Sequence, residues 1–194
     1  SRFPLGGRAG SSTSVTMKGW NLGWTNGVSG SPAGTAVTEF SEVVTFAEPG
    51  LQLLRATNGT HLSNPVTFDV DTLAECLEQE PNDPVEKAQP ITLPIILNGH
   101  IDESGDTDVF RFEGHAGERV VAEVYARRLD SPVDSVLRLT DAAGKQIAFN
   151  DDHEDRGSGL NTHHADSYLA ASLPADGAYY VHLGDTQRQG GSDY

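Results

Sequence analysis

The stretch VFRFEGHAGERVVAEV, residues 109–124, decides the fold class. Phe110 and Phe112 share one face of a run that also carries Arg111 and Glu113, and after a glycine-bearing break Val120, Ala122 and Val124 share a face of the next run. Apolar residues two apart on a pleated strand point the same way, so this is the pattern of two half-buried strands joined by a turn. Working outward, Leu137 and Leu139 repeat the period, as do Ile147 with Phe149, then Leu169, Ala171 and Leu173, and finally Tyr179, Val181 and Leu183. Asp141-Ala142-Ala143-Gly144 between two of these runs suits a short hairpin with glycine at positive φ. Short strands at this spacing predict antiparallel sheets packed face to face.

The first half has the same character. Val15 and Met17 alternate with Thr16 and Lys18; Val44 and Phe46 with Val43 and Thr45; Val66, Phe68 and Val70 with Thr67 and Asp69. Between them, Trp20 to Trp24 and the polar stretch from Gly27 to Gly34 read as loop. No long segment has a helical period, and 21 glycines and 10 prolines punctuate the chain. The expectation is an all-β protein of two β-sandwich domains, over 1–70 and 85–194. They are joined by an acidic linker at 71–84, where alternation gives way to acidic, proline-containing sequence.

The 194 residues carry 13 Lys and Arg against 28 Asp and Glu, a formal charge of −15. Phosphate backbones and anionic membranes would repel such a chain, so no nucleic-acid partner is expected, and cations are the natural ligands. No run approaches the roughly 20 apolar residues of a membrane-inserted helix. The single cysteine, Cys76, excludes an internal disulfide and a multi-cysteine zinc site. Its acidic neighbours Glu75 and Glu78 disfavour a reactive thiolate.

Two acidic constellations stand out. The first is Glu78-Gln79-Glu80-Pro81-Asn82-Asp83. If the chain is extended before Pro81, Glu78 and Glu80 point to the same side. Calcium prefers six to eight oxygens, and Asp102 to Asp108 could supply the remainder. The segment reads either as such a site or as a solvated acidic tether. The second gathers Asp134, Asp151, Asp152 and Asp166 around strand ends, as a further metal site or as turn-forming carboxylates. Between Asn150 and Ser167, His153, His163 and His164 alternate with carboxylates in a long polar loop. It reads as a transition-metal site or as a solvated loop, the two adjacent histidines pointing apart on an extended chain.

Hydrolase chemistry finds no motif: there is no G-x-S-x-G, H-E-x-x-H or P-loop, and the expectation is a non-enzyme. Of the aromatics Trp20, Trp24, Tyr125, Tyr168, Tyr179 and Tyr180, the best ligand-surface candidate is Tyr180, because Tyr179 shares the apolar face with Val181 and Leu183. Asn58-Gly59-Thr60 has the form of a glycosylation sequon.

The strings EQEPND (78–83), NGHIDESGDTDVFRF (98–112), GERV (117–120), DSVLRLTDAAGKQIAFNDD (134–152), ADSYLAASLPADGAYYVHL (165–183) and GGSDY (190–194) occur in this order. Over roughly residues 76–194 the chain resembles the bacterial pre-peptidase C-terminal domain, a family related to the collagen-binding modules of bacterial collagenases. The resemblance implies a jelly-roll-like sandwich, cut before its last strand. It also implies a calcium site, Ca2+ being held by Glu78, Glu80, Asn82, Asp106 and Asp108. Residues 1–70 are loosely similar to immunoglobulin-like IPT/TIG domains, through Leu5 to Gly10, Lys18 to Leu22 and Ser63 to Val70. These likenesses imply a non-catalytic module appended to further domains of the same chain, in an extracellular or cell-envelope bacterial protein. Two roles stay open: tethering to an extracellular protein or polysaccharide matrix, or a structural spacer or secretion-associated domain removed on maturation.

Overall fold

The computed structural model describes residues 2–20, 37–57, 62–153, 165–191 and 194. The protein is all-β: strand and irregular structure are interrupted, among the described residues, by two short 3-10 turns, Val85–Lys87 and Arg127–Leu129. In chain order the strands are β1 (Arg2–Phe3), β2 (Gly6–Arg8), β3 (Ser12–Trp20), β4 (Val37–Thr45), β5 (Gly50–Leu54), β6 (Val66–Asp71), β7 (Glu75–Leu77), β8 (Gln89–Pro90), β9 (Ile96–Asn98), β10 (Thr107–Gly114), β11 (Arg119–Glu123), β12 (Ser135–Asp141), β13 (Gln146–Asn150), β14 (Tyr168–Ser172) and β15 (Gly177–Asp185).

The chain divides into two compact units, one of residues 1–77 with 96–98, the other of residues 78–95 with 99–194. In the first, sheets β1-β3-β4 and β2-β6-β5 enclose Val15, Leu54, Phe68 and Val70. Val15 comes from one sheet and the other three from its partner, which is the defining contact of a sandwich. The Phe46 and Phe68 rings lie 5.9 Å apart. The 71–84 segment, expected as linker, contains β7, which pairs in parallel with β9, Leu77 opposite Asn98. Asn98 Oδ1 also accepts the Leu5 N–H at 3.1 Å.

In the second unit a five-stranded sheet, β13-β12-β15-β10-β8, packs on the pair β11-β14. The core is Phe112, Val120, Leu137, Leu139, Leu169, Leu173 and Tyr179, the inward residues of the alternating runs. Phe112 and Tyr179 stack at 5.8 Å, and the Tyr179 hydroxyl donates to the Ala175 carbonyl at 2.7 Å, which settles its polar end at the core margin. A Cβ at Gly114 would lie 2.2 Å from Leu173 Cδ1, so any larger residue here would have to displace the buried Leu173 side chain. At the β12–β13 hairpin, Asp141 Oδ1 accepts the N–H groups of Ala143 and Lys145, both at 2.9 Å, and Gly144 takes φ 77°.

One strand departs from its expected period. Ile147 and Phe149 were expected on one face, but the register runs Arg138 opposite Phe149, Leu139 opposite Ala148 and Thr140 opposite Gln146, leaving Ile147 as the extra residue of a bulge. Ile147 packs against the core while Phe149 is 51% exposed on the opposite face. A bulge inserts one residue and breaks the alternation that an apolar pair would otherwise announce.

Candidate metal centre

The second unit begins at Glu78, and its first six residues turn back on themselves. Gln79 N–H donates to Gln89 Oε1 at 2.8 Å, holding the segment beside β8. Glu78 is fixed at both carboxylate oxygens: Oε1 accepts from Asn82 Nδ2 and Oε2 from the His100 backbone N–H, both at 2.9 Å. Glu80 Oε2 accepts the Asn82 backbone N–H at 3.1 Å. A Cβ at Gly99 would stand 2.5 Å from Glu78 Oε2, so glycine there makes room for this carboxylate. From the start of β10, Asp106 Oδ2 accepts the Asp102 N–H at 2.7 Å, and Asp108 shares a side-chain hydrogen bond with Glu78.

Two overlapping groups result. Glu78, Glu80 and Asp108 bring carboxylate oxygens within 4.8 Å of one another, and so do Glu80, Asp83 and Asp106. Glu80 belongs to both. At an effective dielectric of 20, two unit charges 4.8 Å apart repel by roughly 3 kcal/mol. No cation side chain bonds to any of these five carboxylates among the described residues. Protons are the available relief: burial pushes Asp108 up to about 10, helped by the hydrogen bond to Glu78 and the charges of Glu78, Asp106 and Glu80. Burial likewise raises Asp106 and Glu80, against the backbone N–H bonds that each accepts.

Two further oxygens complete the picture. Asn82 is fully buried and Asp108 is 1% exposed, yet among the described residues Asn82 Oδ1 and Asp108 Oδ1 have no hydrogen-bond partner. The Asn82 amide cannot be turned to relieve this, since its Nδ2 is the end that donates to Glu78 and a flip would set oxygen against oxygen. A buried acceptor left unmade costs about 1–3 kcal/mol. The donor set is all oxygen, with no sulfur or imidazole in either group. Such a set suits a hard cation. Asp83 stands in the quoted EQEPND string, but sequence reasoning did not select it as a ligand; only the fold shows it facing Asp106 and Glu80.

The second constellation is not assembled. Among the described residues, Asp134, Asp151, Asp152 and Asp166 enter no metal-sized group. Asp166 is 1% exposed and committed elsewhere: Oδ1 accepts the N–H groups of Ala126 and Arg127 at 3.1 and 2.7 Å, and Oδ2 accepts Arg128 N and Nε at 3.2 and 2.9 Å. It anchors the Arg127–Leu129 turn, whose arginine also pairs with Glu123 at 2.8 Å and covers the Tyr125 ring at 3.7 Å. Asp151 and Asp152 are exposed. His153 lies on the Tyr168 ring at 4.8 Å between centroids; His163, His164, Trp24 and the Asn58–Thr60 sequon lie outside the described residues. Cys76 is half-buried, and burial together with Glu75 raises its thiol, which disfavours the thiolate. Tyr180 is half-buried on the outer face of the five-stranded sheet, between Arg111 and Thr140 in register.

Fold and site together define an all-β protein of two compact units, the second carrying acidic clusters that could hold a metal ion. No family model matches the chain. It is similar to a probable subtilase-type serine protease of Deinococcus radiodurans, 36% identical over 107 residues, which cover 54% of this chain and 14% of that relative. The chain therefore matches only a small part of the relative's length. Among the described residues no helix is long and apolar enough to cross a membrane.

Proposed function

We propose that the chain is a non-catalytic accessory module, of the pre-peptidase C-terminal kind, within a larger exported bacterial protein, and that it is stabilised by calcium and tethers its parent to a protein or polysaccharide matrix. The observation that carries the calcium reading is the pair of buried, unpartnered oxygens, Asn82 Oδ1 and Asp108 Oδ1, within or beside a cluster of five carboxylates. Calcium accepts six to eight oxygens in irregular geometry, and Glu78, Glu80, Asn82, Asp83, Asp106 and Asp108 are the residues that would hold it. The ion would neutralise the crowded charge and order the segment through its folded form. The partial similarity to a protease supports the accessory role, since the shared part is a small share of that protein.

The test is isothermal titration of the metal-free chain with calcium and magnesium, paired with retention of the chain on insoluble gelatin and chitin with calcium or chelator. Saturable calcium binding that is lost in Asp108→Asn, with retention on one matrix, is the expected result. Absence of calcium heat refutes the metal reading, and passage through both matrices refutes the tether.

A further inference from the structure

The five-stranded sheet of the second unit has an outer face as well as a core face, and its residues follow from the register. Directly opposed residues share a face, so one row reads Phe149, Arg138, His182, Val109 across β13, β12, β15 and β10. The next row along the strands reads Thr140, Tyr180, Arg111. His182 and Thr140 form a buried floor, 8% and 4% exposed, while Arg138 and Phe149 stand exposed above it.

The floor orients the cation. His182 Nε2 lies 3.1 Å from Thr140 Oγ1, and its Nδ1 lies 3.4 Å from Arg138 Nη2. Arginine can only donate, so Nδ1 accepts and Nε2 carries the proton toward Thr140. Burial and the Arg138 charge lower His182 to about 4, so the imidazole is neutral near pH 7 and Arg138 is the cation of this pair. Arg111 on the neighbouring row is paired with Glu113. Among the described residues Arg138 has no carboxylate partner.

We infer that this outer face docks an extended peptide segment bearing one carboxylate side chain with apolar neighbours, the carboxylate seated on Arg138 and the apolar groups on Phe149 and Tyr180. The inference rests on the tethering reading above and names the chemistry of the surface that Tyr180 belongs to. Alternate side chains of an extended peptide repeat at about 6.8 Å, the same step that separates the Arg138 row from the Tyr180 row. The contact to His182 takes one N–H of Nη2, which leaves Nε, Nη1 and the second N–H of Nη2 to donate to a carboxylate. The formal charge of −15 argues for a sparsely charged peptide over a polyuronate. Long-range repulsion grows with every added anionic group, whereas a single contact at Arg138 acts inside the roughly 8 Å screening length of physiological salt.

The experiment uses the full chain and fluorescence anisotropy with a labelled eight-residue peptide, one glutamate flanked at its second neighbours by leucine and tyrosine. Saturable binding is expected. It should weaken about tenfold or more when the peptide glutamate is replaced by glutamine, and equally in Arg138→Gln. Arg119→Gln, exposed on β11 of the opposite sheet, should bind as the native chain does. Circular dichroism and melting of both variants establish that they fold. No saturable binding, equal affinity for the glutamine peptide, an unaffected Arg138→Gln, or displacement by trigalacturonate at lower concentration than by unlabelled peptide would each overturn the inference. Matrix retention that survives Arg138→Gln also overturns it while leaving the tether standing; a native chain that binds neither matrix loses the tether itself.

Discussion

Replacing Asp108 by asparagine should move stability in opposite senses with and without metal. In the native chain at pH 7.5 without calcium, a carboxyl raised to about 10 holds a proton that the unfolded chain would release near pH 4. At about 1.4 kcal/mol per pH unit, holding it over that interval costs at most roughly 5 kcal/mol. Asparagine removes this cost, and its amide can donate to Glu78 where the protonated acid did. In chelator, Asp108→Asn should therefore melt above the native chain. Calcium at one hundred times its dissociation constant should stabilise the native chain by about 2.7 kcal/mol, a rise of roughly 8 °C for a protein of this size. The variant, short of one anionic ligand, should respond by under about 2 °C. Differential scanning calorimetry of both chains in EDTA and in calcium reads all four values. Equal melting of the native chain in the two buffers, a variant with an undiminished calcium response, or a variant melting below the native chain in EDTA would refute the reasoning.

Three other outcomes follow from the same geometry. Because Asp108 is raised on folding, its stabilising contribution is complete below about pH 4 and is lost as pH rises toward about 10, so melting temperature in EDTA should fall across pH 5 to 9 and the slope should vanish in saturating calcium. His182 is lowered to about 4, so its contribution is present above about pH 6.5 and is lost on acidification. Down to pH 4 this amounts to roughly 3 kcal/mol, and His182→Gln should flatten that acid limb in a melting series. Gly99→Ala sets a methyl group 2.5 Å from Glu78 Oε2 and should displace that carboxylate, weakening calcium binding about tenfold by titration calorimetry while the melting temperature in EDTA changes by under about 4 °C.

What could be read from the sequence was whatever repeats locally. Phe110 with Phe112, Leu137 with Leu139 and Tyr179 with Val181 announce strands because two-residue alternation is a property of one chain segment. The grouping of Glu78, Glu80 and Asn82 was visible for the same reason, being a matter of neighbours. What escaped depends on partners far along the chain. β7 looked like linker because three residues hold too little alternation to register, and its partner lies about twenty residues on. Phe149 pairs with Ile147 by period in the sequence because a bulge at Ile147 is a mismatch between two strands and leaves no mark on either alone. For Asp166 a metal ligand and a turn-forming carboxylate both stay open in the sequence, because composition cannot show that three backbone N–H groups and a guanidinium claim its oxygens.

The return of the chain to the first unit for Ile96–Asn98 bears on how such a protein can be taken apart. A gene cut at Leu77 would strand β7 without its parallel neighbour and deprive the Leu5 N–H of Asn98 Oδ1. The matching downstream piece would carry three orphaned residues between two stretches of its own fold. Along the sequence the two units are interleaved by one short segment, so recombination that transplants the second unit alone must either carry its neighbour along or first close the gap between Ile95 and Gly99. Shuffling at the apparent boundary is thereby disfavoured, and the pair is expected to travel through evolution as a single cassette.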